Sequence, residues 1–265
     1  MAAEPVASPS SAAYWDEVGE AWTGGHADAL WRAYCDRRNG ALIARWMGRT
    51  TGRALKTDSF DEAVADGVYD VLRERATRVT AIDVSATILR AARARHGDLA
   101  TALADVRRLP YADGAFDAVV SISTLDHFDS VDAIRLALGE LARVLRSGGG
   151  LLVTLDNPVH PTLALRNRLP FDLLHRMGIV PYRVGATCGG AALRRLITAA
   201  GLDVRELTWV EHCPRWLAVR AGRKLGRPTP YAATFMRVLE RFETLERLPL
   251  RSLTGHYVAA WAVKP

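Results

Sequence analysis

The chain has 265 residues, of which 49% are hydrophobic and 24% charged, and it carries a formal net charge of +6. This composition is typical of a globular protein with one large domain, and no apolar run is long enough to span a bilayer. Residues 1–13 lack the basic start and the apolar core of a signal peptide. We therefore expect a soluble, cytoplasmic protein that begins with a disordered tail over residues 1–13.

The cysteines and the basic charge narrow the class of protein further. The three cysteines are an odd number without CxxC spacing, so neither a disulfide framework nor a zinc site is indicated. The arginines are scattered among acidic residues, which favours a solvated surface over a nucleic-acid interface. Residues 215–227 are a local exception, because this basic segment either attracts an acidic substrate or forms the solvated face of a helix.

Residues 14–50 are predicted to form a helical cover at the N-terminus. Apolar residues recur there at roughly helical spacing, and Gly24-Gly25 separates two amphipathic helices. Tyr14 and Trp15 either cover a ligand that is bound by the rest of the chain or belong to the core, where aromatic residues contribute buried area.

The first strand is predicted at residues 54–55, and the loop that follows it contains no glycine. Nicotinamide and flavin dinucleotide sites need GxGxxG here, since glycine permits a tight turn close to the ligand, so these cofactors are excluded. Ser59 and Glu62 have the spacing of a capping box at a helix start that is too acidic to bind phosphate. Lys56 either contacts the carboxylate of a ligand or pairs with Asp58 or Glu62.

The next two strands end in isolated carboxylates. The second strand ends in Asp83, and Ser85 then caps a helix predicted at residues 86–95. A carboxylate in this place can accept hydrogen bonds from both hydroxyls of a ribose. The alternative role for Asp83 is that of a second helix cap, which would be redundant because Ser85 already caps the helix. The third strand, at residues 101–104, ends in Asp105, which is either a ligand contact or the start of a turn.

The middle of the chain predicts two buried strands joined by a helix. The apolar run at residues 116–122 ends in polar residues, at the edge where open α/β sheets bind their ligands. A helix follows at residues 131–145, and the glycines at 148–150 stop it before a second strand at residues 151–155. The polar residues at the end of the first of these strands are Ser123, Thr124, Asp126 and His127.

An insertion is predicted after the fifth strand, at residues 159–190, because two prolines and Asn157 end that strand. Its polar residues either recognise a substrate or lie at the surface. With Asn157, these residues are His160, Arg166, Asn167, His175, Tyr182 and Arg183. A helix at residues 191–201 and strands at 202–209 and 256–263 complete the chain.

The phrases AIDVSATILRAARAR, LPYADGAFDAVV and ELARVLRSGGGLL resemble the central block of the class I S-adenosylmethionine-dependent methyltransferases, especially the small-molecule branch. The resemblance covers about residues 14–264 and is weakest in the first loop, where the family has Asp/Glu-x-Gly-x-Gly-x-Gly and this chain has KTDSFDE. It implies a doubly wound α/β fold with a seven-stranded, mostly parallel sheet, an antiparallel last strand and a helical lid. Residues 51–158 would be the nucleoside-binding half, residues 159–190 the lid and residues 191–265 the C-terminal part of the core.

The resemblance also implies a cofactor, S-adenosyl-L-methionine, with S-adenosyl-L-homocysteine as its product. It places Asp105 and Val106 beside the adenine. The cofactor residues expected on this basis are Lys56, Thr57, Asp58, Asp83, Val84, Asp105, Val106, Ser123 and Tyr14. The residues expected to bind the acceptor are Asn157, His160, Arg166 and Tyr182. No metal, nucleic acid or membrane partner is expected.

The activity implied is methyl transfer to an oxygen, nitrogen or carbon atom of a small organic acceptor. His127 can remove a proton from a hydroxyl or an amine, and Asp126 can orient it. Alternatively, both residues only start a helix, since methyl transfer from a sulfonium mainly needs in-line positioning. The missing glycines leave two further alternatives, a related protein that catalyses a cyclisation or isomerisation without methyl transfer, and a binding protein.

Overall fold

A twisted sheet forms the centre of the molecule. The computed structural model describes residues 11–23, 28–48, 52–177, 180, 182–225 and 230–265. The strands are β1 (Arg53–Lys56), β2 (Arg78–Asp83), β3 (Ala100–Leu103), β4 (Phe116–Ile122), β5 (Leu145–Asp156), β6 (Asp203–Val210) and β7 (Tyr257–Val263). Their order is β3-β2-β1-β4-β5-β7-β6, with β7 antiparallel to both of its neighbours and the other pairs parallel. The predicted α/β fold is confirmed.

Helices cover both faces of the sheet. They are α1 (Ala12–Thr23), α2 (Ala29–Trp46), α3 (Phe60–Val64), α4 (Tyr69–Arg73), α5 (Ala86–Arg95), α6 (Val131–Val144), α7 (Pro161–Arg166), α8 (Phe171–Arg176), α9 (Gly190–Ala199), α10 (Arg215–Leu225), α11 (Pro230–Phe242) and α12 (Arg251–Thr254). The turns Leu125–His127 and Glu243–Arg247 are 3-10 helical. The helix predicted at residues 86–95 is confirmed, and the Ser85 hydroxyl caps it by accepting from the Ile88 amide at 3.1 Å.

Side-chain alternation along the strands builds two cores, one on each face of the sheet. Leu55 of β1 and Val119 of β4 share one core with apolar residues of α6 and α9. Ala54 and Val120 point to the other face, where they share the second core with α2, α4 and α5. A third, smaller cluster joins α2, α10 and α11 around the buried Tyr34. Residues of α10 also line the cavity described below.

The predicted helix stop at residues 148–150 is wrong. Helix α6 ends at Val144, and β5 starts at Leu145 and runs through the three glycines. Gly149 and Gly150 serve close packing inside the sheet, whereas Gly148 has a φ of 74°. A Cβ atom on Gly150 would lie 2.0 Å from the ring of Trp261, and one on Gly149 would lie 2.8 Å from a backbone oxygen. The strand therefore needs glycine because its neighbours occupy the space that a side chain would fill.

The N-terminal boundary also differs from the prediction. The tail was expected to cover residues 1–13, but α1 already begins at Ala12, and residues 1–10 lie outside the described residues. Gly24-Gly25, the predicted helix separator, also lies outside them, between α1 and α2. Within the described part of the chain, no helix combines the length and the apolar character needed to cross a membrane.

Candidate functional site

One large cavity lies at the carboxyl ends of β1, β2, β4 and β5. Its volume of about 940 Å³ is within the range of about 300–1,000 Å³ that holds small-molecule ligands. Twelve of the fifteen residues expected to bind cofactor or acceptor, or to act in catalysis, line it. They are Thr57, Asp58, Asp83, Val84, Asp105, Val106, Ser123, Asp126, His127, His160, Arg166 and Tyr182.

The remaining three, Lys56, Tyr14 and Asn157, are not among the lining residues, and each makes a structural contact. Asn157 is fully buried, and its amide donates to the carbonyls of Ser252 and Gly255 at 2.7 and 2.8 Å. The Tyr14 hydroxyl accepts the Arg183 amide at 2.7 Å and so ties α1 to the insertion.

Asp83 connects the end of β2 to the first loop. One of its carboxylate oxygens accepts the Ser59 amide at 3.0 Å, and the other accepts the Ser85 amide at 2.9 Å. Desolvation, followed by the nearby charge of Asp58, raises the pKa of Asp83 to about 7. Each oxygen keeps a lone pair beyond these bonds, so the carboxylate can still accept from a ligand in the cavity.

The first loop is built around a buried ion pair. The Lys56 ammonium lies 2.7 Å from a Glu62 carboxylate oxygen, and both side chains are almost inaccessible to solvent. Lys56 also donates to the backbone oxygen of Asp58 at 2.7 Å. The other oxygen of Glu62 accepts the Val68 amide at 2.9 Å. In the place of glycines, the loop is thus held by charged side chains that point into the protein.

The predicted capping box does not form. Ser59 is the N-cap residue of α3, but its side chain makes no capping hydrogen bond. Glu62 instead pairs with Lys56 and accepts the Val68 amide. The local sequence pattern was correct for a helix start, but a buried lysine offers the carboxylate a stronger partner than a backbone amide.

Asp105, at the end of β3, forms an ion pair with a residue two positions further along. Both of its carboxylate oxygens accept from the Arg107 side chain, with two contacts at 3.0 Å. Although burial opposes it, hydrogen bonding from Arg107 lowers the pKa of Asp105 below its ordinary value. Asp105 therefore stays ionised at the cavity wall and can accept from an amine.

Hydroxyl groups line the cavity between β1 and β4. Thr124 donates to a carboxylate oxygen of Asp58 at 2.8 Å and lies 2.9 Å from the Thr57 hydroxyl. Ser123, the first residue after β4, has a φ of 47°, which is uncommon for a residue other than glycine. Its hydroxyl donates to Asp126 at 3.1 Å. The strained turn thus directs Ser123 and Asp126 towards each other.

His127 is oriented by a backbone carbonyl, which differs from the sequence-based expectation. Its Nδ1 atom lies 3.3 Å from the Arg183 carbonyl oxygen, so Nδ1–H donates to that oxygen. Asp126, expected to orient the ring, lies 4.0 Å from Nε2, beyond hydrogen-bond distance. Asp126 accepts instead from Ser123 and from the Asp156 amide, and desolvation raises its pKa to about 6.

An aromatic cluster closes the cavity above the first loop. Phe60 packs edge-on against Trp15, Trp22 and Tyr182, with ring centroids 5.9–6.5 Å apart. The His127 ring joins the cluster, 4.7 Å from Trp15. These side chains come from α1, the first loop, the end of β4 and the insertion, so the cluster holds the N-terminal cover and the insertion together.

Charged residues gather at the other end of the cavity, beyond β5. Arg166 forms an ion pair of 2.8 Å with Asp156, the last residue of β5. Arg215, the first residue of α10, donates to His256 at 3.1 Å. Glu211 has a φ of 59° and a buried carboxylate that accepts from the Cys35 thiol at 3.7 Å.

The sequence-based predictions missed Glu211, Trp22 and Phe60 as parts of this site and treated Arg215 only as a member of a basic segment. The only sequence feature that pointed to Arg215 was the basic segment 215–227. This feature did not indicate that Arg215 faces the cavity. Glu211 had no signal, because its positive φ follows from the tertiary structure.

Comparison with known proteins agrees with this arrangement. Residues 54–153 match the family model described as a methyltransferase domain. A demethylmenaquinone methyltransferase from Thermus thermophilus is 33% identical over 61% of this chain and 82% of its own length. One from Beutenbergia cavernae is 35% identical over 48% of this chain, and the match spans only 47% of that relative.

A solved structure extends the likeness to nearly the whole fold. The cyclase SpnF superposes with a TM-score of 0.60 and covers 98% of both chains. At 19% sequence identity, this likeness concerns the fold alone.

Proposed function

The chain belongs to the class I S-adenosylmethionine-dependent methyltransferases, and we propose that it transfers a methyl group from S-adenosylmethionine to an oxygen, nitrogen or carbon atom of a small organic acceptor. The observation that carries this proposal is the continuous cavity. It joins the carboxylates of Asp83 and Asp105 to the polar end at Asp156, with the end of β4 between them. Donor and acceptor can therefore meet within one cavity.

The lining residues of the first half of the cavity fit the donor. Asp83 would accept from the ribose hydroxyls, while Asp105 and Val106 would contact the adenine. Asp58, with Thr57, Val84 and Ser123 nearby, would hold the ammonium end of the methionine. Carboxylates suit a ligand that carries an ammonium and a sulfonium group and no phosphate, because they accept from its donors and attract its positive charges.

Lys56 and Tyr14 would support this site without touching the donor. Lys56 neutralises Glu62 under the loop, and Tyr14 holds the insertion in place. The bound donor supplies a methyl group on a positively charged sulfur. The chain has to align an acceptor atom with that methyl group and to exclude water, which is the task of the aromatic cluster around Phe60 and Trp15.

His127 is the proposed general base for an acceptor that must lose a proton. Because Nδ1–H donates to the Arg183 carbonyl, Nε2 is the ring nitrogen that would take the proton of the acceptor. Asp126, 4.0 Å away, would stabilise the imidazolium that forms. His160, Arg166 and Tyr182 line the half of the cavity that would receive the acceptor.

Calorimetric titration of the whole chain with S-adenosylmethionine and S-adenosylhomocysteine tests the proposal. We expect both to bind with dissociation constants well below about 1 mM, which corresponds to about −4 kcal/mol. The chain should then be incubated with methyl-labelled S-adenosylmethionine and a small-molecule extract. We expect the labelled methyl group to appear in a small organic compound of the extract. Binding weaker than about 1 mM would overturn the proposal, and tight binding without any label transfer would favour the cyclisation or isomerisation alternative.

A further inference from the structure

Arg215 reaches into the end of the cavity beyond β5, where its direct contacts in the described part of the chain are to neutral groups. It lines the cavity, and its Nη1 atom donates to Nε2 of His256 at 3.1 Å and lies 3.4 Å from the Tyr257 hydroxyl. Among the described residues, no carboxylate lies within 4.0 Å of its guanidinium group. Arg166, at the same end of the cavity, is paired with Asp156 at 2.8 Å.

The groups next to Arg215 that could balance its charge are either paired with another cation or neutral at neutral pH. Arg166 and Asp156 cancel each other, and the pKa of Asp156 is held below its ordinary value by Arg166 despite burial. Desolvation raises the pKa of Glu211 to about 8, so this carboxyl is mostly protonated. Desolvation, and then Arg215 itself, lower the pKa of His256 to about 3, so the ring is neutral.

An uncompensated cation in an enclosed space is costly unless a ligand neutralises it. Arginine presents a planar fork of N–H donors that matches the oxygens of a carboxylate or a phosphate. Nη1 is the atom engaged by His256 and Tyr257, which leaves donors on Nε and Nη2 for a ligand. Arg220 and Lys224, five and nine residues further along α10, line the same cavity and add to the positive potential.

We propose that the methyl acceptor carries an anionic group, a carboxylate or a phosphate, and that Arg215 binds this group at the end of the cavity beyond β5. This inference rests on the proposed methyltransferase function, since it assigns the acceptor of that site. Besides the polar groups described above, the lining at Arg215 carries apolar side chains, with the Trp31 ring centroid 5.7 Å from the guanidinium carbon and Val219 one turn further along α10. The acceptor is therefore an acid with an apolar body.

The test uses a matched pair of probes, 2-naphthoate and its neutral analogue 2-naphthamide, titrated into the whole chain at pH 7 without donor. We expect the unmodified protein to bind the acid at least tenfold more tightly than the amide, a factor that corresponds to about 1.4 kcal/mol. Arg215→Met should abolish this preference and leave amide binding unchanged. Arg194→Met, which removes an equal charge from the exposed side of α9, should behave like the unmodified protein.

Three results would overturn the inference. They are equal binding of acid and amide by the unmodified protein, no acid binding at millimolar concentration, and an undiminished preference for the acid in Arg215→Met. If Arg215→Met does not fold, Arg215→Lys takes its place. This variant keeps the positive charge but lacks the planar guanidinium group, so its preference for 2-naphthoate over 2-naphthamide should be smaller than that of the unmodified protein. An equal preference would count against the inference.

A parallel titration with S-adenosylhomocysteine separates this inference from the proposed function. Arg215→Met should bind S-adenosylhomocysteine as tightly as the unmodified protein does. A tenfold loss would mean that Arg215 binds the carboxylate of the donor, which overturns the inference but not the methyltransferase proposal. Failure of S-adenosylhomocysteine to bind the unmodified protein would overturn the proposed function, whatever the naphthoate result.

Discussion

The backbone amide of Ser59 donates to the carboxylate of Asp83 at 3.0 Å, and this bond ties the loop after β1 to the end of β2. The second oxygen of Asp83 accepts the Ser85 amide at the start of α5. Both bonds are buried. Asp83 therefore has a structural role in addition to its proposed contact with the ribose, and the two roles can be measured separately.

Asp83→Ala should lower both stability and cofactor affinity. Two buried amides would lose their acceptor, which should reduce the free energy of unfolding by about 1–3 kcal/mol. Loss of the ribose contact should weaken S-adenosylhomocysteine binding by about 1.5–3 kcal/mol. Urea unfolding and calorimetry measure the two effects, with the exposed Asp66→Ala as control. Unchanged affinity in a folded Asp83→Ala variant would contradict the ribose role.

The buried pair of Lys56 and Glu62 should behave non-additively. Lys56→Met alone leaves the carboxylate of Glu62 buried without a cation and should destabilise the protein by about 3–5 kcal/mol. The double variant Lys56→Met/Glu62→Gln removes both charges and retains the acceptor for the Val68 amide, so most of that loss should be recovered. Urea unfolding of both single variants and of the double variant gives the coupling energy. A coupling energy near zero would show that the pair does not hold the loop.

Tyr14→Phe should loosen the insertion. It deletes one hydrogen bond, to the Arg183 amide, and keeps the ring that contacts Trp15. A bond of this kind contributes about 0.5–1.5 kcal/mol, so local opening should become roughly 2- to 10-fold more frequent. Trypsin cleavage after arginines of residues 159–190 should accelerate by that factor. Tyr231→Phe, at an exposed hydroxyl, should leave the cleavage rate unchanged.

Glu211→Gln should change how stability depends on pH. Because desolvation raises the pKa of Glu211 from 4.5 to about 8, the folded protein keeps a proton there that the unfolded chain releases. Stability is therefore lost as pH rises between these values, by at most about 1.4 kcal/mol per pH unit. Glu211→Gln has no proton to lose at this position. Its free energy of unfolding should therefore equal that of the unmodified protein near pH 4 and become increasingly larger than it up to pH 8. Glu74→Gln, at an exposed position, provides the control, and identical pH profiles for Glu211→Gln and the unmodified protein would contradict the raised pKa.

Local patterns were sufficient to predict the elements of the sheet. The apolar run at residues 116–122 became β4, and the serine before residues 86–95 became the cap of α5, because both depend on neighbours within a few positions. The capping box at Ser59 and Glu62 had an equally good local pattern, yet it did not form. A buried lysine from β1 competed for the glutamate, and its burial depends on β2 and β4 packing on either side of it.

The sequence by itself determined the α/β architecture and the carboxylates at the ends of β2 and β3, because strand periodicity and the residues that end a strand are read over short distances. Only the tertiary structure decided that Arg215 contacts His256 and no carboxylate of the described residues, that the Arg183 carbonyl orients His127 and that Lys56 is buried under the first loop. Each of these depends on groups that are far apart in the chain. Their charges and hydrogen bonds become strong only where packing removes water from around them.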